Sequence, residues 1–144
     1  YSQPIYVGKA VPRGWRQARI VSETDGRSYE LYNRLNEHFR SINQATNLDS
    51  KHFSCRFMIL ENEESNLIGT VEAALIRQYK PLWNTTVDGF GNHDPGGGRY
   101  NQAKSDWDVI HPGRQWAEKC LGESSTEATV IDKIVKYFAS SNEE

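Results

Sequence analysis

Two short runs of the sequence, residues 4–9 and 53–60, are rich in the β-branched and aromatic residues typical of strands. In the second run, alternate residues place one apolar set on the same face: Phe53, Cys55, Phe57 and Ile59. Two strands alone are too few to form a stable sheet. We therefore expect a further strand from a segment that precedes Tyr1, and a chain that is the later part of a longer protein.

Most of the remaining pattern is helical. Apolar residues recur at helical spacing in several segments, and the predicted helices are residues 29–42, 65–79, 115–120 and 126–138. Ser28 can cap the first helix, and Pro81 ends the second. Ser124 and Glu127 have the spacing of a capping box for the last helix. The pattern predicts an α+β fold in which helices cover a small sheet.

Charge is unevenly distributed along the 144 residues, a length that indicates a single domain. The net charge of −2 argues against a simple basic nucleic-acid binder. Residues 1–21 nevertheless contain four basic side chains and no acidic one, and a local basic surface is what a phosphate backbone senses. A solvated charged loop is the alternative.

The cysteines and the hydropathy pattern bear on location. Cys55 and Cys120 form no disulfide framework and have no metal-ligand spacing, so both are interpreted as free thiols. No apolar run approaches the length of a membrane span. We predict a cytoplasmic protein without membrane contact.

Three polar residues fall at the edges of apolar helix faces. Glu72 lies among apolar residues of the second helix, and Arg34 and His38 are neighbours on the first because they are four residues apart. One interpretation is structural, a Glu72–Arg34 salt bridge beside a core histidine. The other is phosphodiester hydrolysis, which needs a cation held by a carboxylate, an arginine for the developing charge and a proton acceptor.

The ordered motifs resemble one enzyme superfamily. "IYVGK" resembles the second signature strand of the GIY-YIG nucleases, "RLNEH" their Arg-x-x-x-His helix, and "TVEAALIRQYKPLWN" their later glutamate and asparagine. The run "GFGNHDPGGGRYNQAKSDWDVIHPGRQW" is similar to the type II restriction endonuclease branch that cuts CCGCGG. The resemblance implies a GIY-YIG fold, with a small antiparallel sheet flanked by helices and the first strand upstream of this chain.

The resemblance also implies roles for particular residues. The implied catalytic set is Tyr6, Arg34, His38, Glu72 and Asn84. In it, Tyr6 lines the site, Arg34 binds the phosphate, His38 is the proton acceptor or its relay, and Asn84 orients neighbouring groups. Glu72 holds a single divalent cation, Mg²⁺, for which Mn²⁺ can substitute. Without the first signature strand and its tyrosine, these 144 residues alone are expected to be inactive.

Two loops inserted in a single catalytic domain, residues 11–27 and 88–114, are predicted to contact DNA. The predicted DNA-binding residues are Lys9, Arg13, Arg16, Arg19, Arg99, Asn101, Lys104 and Arg114. The glycine-rich part of the second loop lacks the G-x-x-x-x-G-K-[ST] pattern of a nucleotide-phosphate loop. No nucleotide cofactor is expected.

The sequence therefore predicts a type II restriction endonuclease of a restriction–modification system. It is expected to act as a homodimer on double-stranded DNA, because a palindromic site needs two equivalent readers. One alternative is a GIY-YIG nuclease of repair or mobile-element type that nicks one strand. Another is a DNA-binding module that keeps the fold but performs no chemistry.

Overall fold

A computed structural model describes residues 3–12 and 29–141 of the chain. The α-helices of these ranges are α1 (Glu30–Gln44), α2 (Ile68–Tyr79), α3 (Leu82–Thr85), α4 (Asp106–Ile110) and α5 (Glu127–Ser141). Short 3₁₀ helices are found at Ser50–His52, Asn62–Leu67 and Ala117–Lys119. No helix in the described ranges combines the length and the apolar character needed to cross a membrane.

The two long helices predicted before Pro81 are confirmed, with shifted boundaries. α1 extends two residues past the predicted end at residue 42, and its predicted cap, Ser28, lies outside the described residues. α2 begins at Ile68 because the preceding residues form 3₁₀ turns. It ends as predicted, where Lys80 adopts the left-handed conformation (φ 43°) just before the proline.

The predicted α+β fold with an antiparallel sheet is wrong, since residues 3–12 and 29–141 contain no strand. The backbone of residues 4–9 bonds elsewhere, because Ile5 O accepts from Trp83 N at 2.9 Å. The other run, residues 53–60, is irregular and exposes Phe57 and Ile59 by 63% and 64%. Strand propensity becomes a strand only where a neighbouring backbone pairs with it.

The core is centred on aromatic side chains. Trp83 packs on Phe90 with ring centroids 4.7 Å apart and meets Trp107 edge-on at 5.7 Å. Around these rings lie buried aliphatic residues from the loops and from both long terminal helices: Ile42, Ala45, Val87 and Val130. This cluster draws on residues far apart in sequence, so it fixes how α1, α3, α4 and α5 lie relative to one another.

Helix α4 was not predicted from the sequence, because its five residues fall within the segment assigned to loop 88–114. Ser105 caps it, accepting a hydrogen bond from Asp108 N at 3.2 Å. The side chain of Asp108 pairs with Arg114, and each of these side chains is only 1% exposed. Arg114 was predicted to contact DNA. It lies in the core instead, where its buried side chain is bonded to Asp108 and cannot reach DNA.

The C-terminal helix α5 is confirmed, but its predicted capping box is wrong. Thr126 Oγ1 accepts from Thr129 N at 3.2 Å and therefore caps the helix. The hydroxyl of Ser124 accepts instead from the backbone N of Lys104, at 2.8 Å. The short helix predicted at residues 115–120 is a 3₁₀ turn, Ala117–Lys119.

Candidate active site

The N-terminal segment is attached to α3 by one side chain. Asn84 Oδ1 accepts from Val7 N at 2.7 Å, and Asn84 Nδ2 donates to Val7 O at 2.8 Å. The amide thus replaces the neighbouring strand that an extended segment would otherwise need. Tyr6 is the residue just before this anchor, so Asn84 fixes where the Tyr6 ring and hydroxyl lie.

Arg34, from α1, directs its guanidinium to that hydroxyl. Its Nη2 donates to Tyr6 OH at 3.3 Å and to Gly91 O at 3.2 Å. Its Nη1 donates to Glu37 Oε2 at 3.1 Å and lies 3.0 Å from His93 Nε2. Arg34 Nε is buried and has no hydrogen-bond partner in the described part of the chain. The side chain is 20% exposed, so a permanent positive charge lies at the protein surface.

His38 lies one helical turn after Arg34 and packs between two rings. It stacks on Phe90, with ring centroids 4.6 Å apart and an angle of 16° between the planes. It meets Tyr6 edge-on at 5.1 Å. Burial, and secondarily the positive charge of Arg34, lower the pKa of His38 from 6.5 to about 4. At neutral pH the imidazole is therefore uncharged and can accept a proton.

Glu72, on α2, pairs with Lys9 rather than with Arg34. Lys9 Nζ lies 2.7 Å from Glu72 Oε2, and each side chain is 23% exposed. The structural alternative considered from the sequence, a Glu72–Arg34 salt bridge, is not the pair that forms. Half-buried and still reachable by water, the carboxylate has one oxygen engaged by an ammonium group.

The described residues offer no candidate site for a metal held mainly by protein side chains. The described residues contain no cluster of three or more histidine, cysteine, aspartate or glutamate side chains that could hold a metal ion. Mg²⁺ commonly binds through one or two carboxylates and keeps several water ligands. A single accessible carboxylate such as Glu72 is therefore compatible with Mg²⁺ binding. It does not resemble a zinc site, which needs several protein ligands.

The predicted DNA-binding residues are widely distributed. Arg99 and Asn101 are exposed on the glycine-rich loop, and Lys104 Nζ bonds Glu118 Oε2 at 2.7 Å. Lys9 is engaged with Glu72, and Arg114 is buried. The remaining predicted contacts lie outside the described residues: Arg13, Arg16 and Arg19.

Sequence reasoning missed the loop residues that complete the cluster. Phe90 supplies the ring under His38, and Gly91 approaches the site so closely that a Cβ there would lie 2.6 Å from Tyr6 OH and 2.9 Å from Arg34 Nη2. His93 and Glu37 flank the guanidinium. A glycine on each side of Phe90 was the available signal, since glycine allows close backbone approach.

The structure thus brings together Tyr6, Arg34 and His38, with Asn84 holding the segment that carries the tyrosine. Glu72 and Lys9 form a separate ion pair. The catalytic roles assigned to these residues remain predictions.

Among known families, the model described as "Eco29kI GIY-YIG domain" matches residues 1–138. No curated protein sequence gives a significant match.

Proposed function

Because the chain belongs to the Eco29kI GIY-YIG family, a family of restriction endonucleases, we propose that it cuts both strands of DNA at the palindrome CCGCGG by Mg²⁺-dependent hydrolysis. Family membership supports a nuclease of the restriction type. The observation that carries the catalytic proposal is the guanidinium of Arg34, held against Tyr6 OH beside the uncharged imidazole of His38.

Arg34 binds the scissile phosphate in this proposal. A guanidinium is always charged and presents N–H groups in a plane that matches phosphate oxygens. Its Nη2 is already oriented by Tyr6 and Gly91, and its buried Nε has no partner in the described part. A group that is positioned before the substrate arrives stabilises the charge that develops on phosphate oxygens during the reaction.

His38 accepts the proton that the attacking water loses, directly or through Tyr6. Its low pKa keeps the imidazole uncharged at neutral pH, as a proton acceptor must be. Tyr6 lies between the imidazole and the guanidinium, with its ring edge-on to His38 and its hydroxyl on Arg34. Asn84 keeps this tyrosine in place through Val7.

Glu72 would hold the single Mg²⁺. When bound, the cation supplies positive charge to polarise the phosphoryl oxygens. Lys9 is the counter-ion that Glu72 has in the structure, and in this proposal it also contacts a DNA phosphate. Mn²⁺, which takes similar oxygen ligands, is expected to support cleavage too.

The test is the change Glu72→Gln in the full-length protein, which removes the charge with almost no change in size. Cleavage should fall by several orders of magnitude, because a metal's charge stabilisation is worth about several kcal/mol. DNA affinity should persist or increase, since a negative charge near the phosphate is lost. The melting temperature should change little, because a partly exposed ion pair contributes about 0–1 kcal/mol.

The matched control is Glu64→Gln, at an exposed glutamate of the 3₁₀ helix that precedes α2. It should leave Mg²⁺-dependent cleavage and DNA affinity unchanged. A Glu72→Gln enzyme that melts earlier yet still cuts in proportion to its folded fraction would refute the metal-binding role of Glu72.

The proposed specificity and homodimer rest on the resemblance of residues 89–116 to the CCGCGG-cutting branch. Guanine O6 and N7 are best read by arginine or lysine, at about 1–3 kcal/mol per good contact. Among the described residues, exposed Arg99 and the half-buried Lys104 are the proposed base readers, with Asn101 assisting. Arg16 and Arg19, outside those residues, complete the predicted set.

Alanine at a base-reading side chain should relax specificity at one base pair. Alanine at a phosphate contact should instead weaken binding to all sequences and flatten its salt dependence. Arg99→Ala, measured on CCGCGG and on singly mismatched duplexes, distinguishes the two roles. If neither the specificity nor the salt dependence of binding changes, Arg99 is not part of the DNA-binding surface.

The product of cleavage separates the proposal from its alternatives. A homodimeric restriction enzyme converts a plasmid with one CCGCGG site directly to the linear form, and sedimentation of its DNA complex gives two protomers per duplex. A repair or mobile-element nuclease leaves nicked circles. A catalytically silent DNA-binding module leaves the plasmid supercoiled.

A further inference from the structure

Arg114 makes the most extensively bonded buried ion pair in the described part of the chain. Its Nε donates to Asp108 Oδ1 and its Nη2 to Asp108 Oδ2, both at 2.7 Å. The guanidinium lies between two indole rings, 4.5 Å from the centroid of Trp107 and 4.7 Å from that of Trp116. Such a bidentate pair holds the guanidinium in one orientation.

The remaining guanidinium N–H groups bind a single turn of the glycine-rich loop, residues 89–92. Nη2 donates to Gly89 O at 2.9 Å, and Nη1 donates to Phe90 O at 3.2 Å and to Asn92 O at 3.3 Å. Three carbonyls within four residues therefore face one cation. The turn is also closed by Gly89 O, which accepts from Asn92 N at 3.0 Å, and the cation ties this turn to the core.

The opposite side of the same turn faces the candidate active site. Gly91 O, between two of the carbonyls bound by Arg114, accepts from Arg34 Nη2 at 3.2 Å. The ring of Phe90 stacks on His38 at 4.6 Å and meets Tyr6 edge-on at 5.0 Å. One four-residue turn thus separates the buried ion pair from three proposed catalytic side chains.

We propose that Arg114 is a positioning residue, which holds the 89–92 turn so that Gly91 O orients Arg34 and the Phe90 ring orients His38. This inference rests on the proposed function for its effect on cleavage, but its structural part can be measured without DNA. Arg114 does not touch substrate, because its side chain is 1% exposed. It acts through the turn.

The discriminating change is Arg114→Lys, which keeps the charge but replaces a planar fork by a single ammonium group. Lysine has three N–H donors and cannot form all five bonds that Arg114 makes to Asp108 and the carbonyls of the turn. The 89–92 turn should shift. A displacement of about 1 Å in a positioned group can reduce a rate by about 100-fold.

The first readout is the titration of the His38 imidazole, followed by NMR in the absence of DNA and metal. The charged or titratable groups acting on it are Arg34, Glu37, His93 and Arg114, with the Tyr6 ring in contact. Because lysine retains the positive charge at position 114, a change in titration reports the Phe90 packing and the position of Arg34, both of which depend on the turn. In Arg114→Lys the midpoint should move up from about 4 toward the ordinary value of 6.5.

The second readout is single-turnover cleavage, measured well below the melting temperature. The Arg114→Lys rate should fall by about 10- to 100-fold, with DNA affinity nearly unchanged. Arg77→Lys, the same exchange at an exposed arginine of α2, should alter neither readout. A folded Arg114→Lys protein with the wild-type titration and rate would overturn the proposal and leave Arg114 as a core residue only.

Gly91→Ala keeps the proposal testable if Arg114→Lys does not fold. Its added Cβ would press on Tyr6 OH and Arg34 Nη2 without altering the ion pair, so the turn and these two side-chain ends must shift relative to each other. The His38 titration should shift, whereas Gly97→Ala, whose added Cβ meets no atom within 4 Å, should leave it unchanged. An unchanged titration and rate in Gly91→Ala would refute the link between the turn and the catalytic residues.

Failure of the proposed function gives a different result. If the full-length wild-type protein cuts no DNA with Mg²⁺, the nuclease mechanism is wrong, while the titrations still decide whether Arg114 sets the environment of His38.

Discussion

At the scale of single residues, the candidate site is built by side chains that bond backbone atoms. The side chain of Asn84 forms hydrogen bonds with the backbone N–H and the backbone C=O of Val7. The backbone oxygen of Gly91 accepts a hydrogen bond from Arg34. A side-chain amide that bonds both groups of one residue acts like a short piece of neighbouring strand, and here it determines the position of Tyr6.

We predict that Asn84→Ala releases the N-terminal segment. Two partly buried hydrogen bonds are lost, and each backbone group left unsatisfied away from water costs about 1–3 kcal/mol. Amide exchange at Val7 should therefore accelerate strongly, the melting temperature should fall, and cleavage should fall further than the folded fraction explains. Asn43→Ala, at an exposed position of α1, is the control. Slow exchange at Val7 in the Asn84→Ala protein would contradict this account of the segment.

At the scale of elements, the helices are specified by local signals of unequal strength. The end of α2 follows from Pro81, which cannot continue a helix without losing a backbone bond. The start of α5 depends on a choice between nearby hydroxyls. Ser124 and Thr126 are both acceptable caps by residue type, but the hydroxyl of Ser124 is engaged by Lys104 N.

Thr126→Ala should therefore destabilise the protein by about 1 kcal/mol, the usual value for loss of a helix N-cap. Thr126 Oγ1 accepts from Thr129 N, and alanine leaves that N–H without a partner. Chemical denaturation measures the loss. The comparison is Thr70→Ala, an exposed threonine inside α2, which should not destabilise because alanine is the better helix former. Equal effects of the two changes would rule out Thr126 as the cap.

At the scale of the whole molecule, two histidines lie in one aromatic core. His38 stacks on Phe90, and His111 meets the edge of Trp83 and the ring of Trp107. Burial lowers the pKa of each from 6.5 to about 4. The folded state thus keeps both imidazoles uncharged in a pH range where the unfolded chain protonates them.

This linkage predicts acid sensitivity with a definite sign. Between pH 6.5 and about 4 the unfolded state binds more protons, so stability is complete above this window and falls as the pH is lowered through it. The melting temperature should decrease accordingly. His111→Gln should reduce the slope of melting temperature against pH, whereas His52→Gln, at an exposed position, should keep it. A flat wild-type profile across this window would contradict the assignment of neutral core histidines.

Some of this architecture follows from the sequence alone. The periodicity of residues 29–42 and 126–138 predicts α1 and α5, because a helix bonds within its own segment and its local pattern suffices. The spacing of Arg34 and His38 places both on one helix face for the same reason. The ordered motifs also predict the nuclease family, which the family match confirms.

Only the tertiary structure decided the rest, because it determines which residues are buried and which partners meet. Residues 4–9 and 53–60 have strand propensity, but no backbone in the described part pairs with them as a sheet. Glu72 takes Lys9 as its partner rather than Arg34. Arg114, which looks like a DNA contact in the sequence, is enclosed by Asp108 and two indole rings. Residue type determines the charge and the length of a side chain. Burial and the nearest opposite charge determine whether an arginine or a glutamate forms a structural ion pair or is available to a ligand.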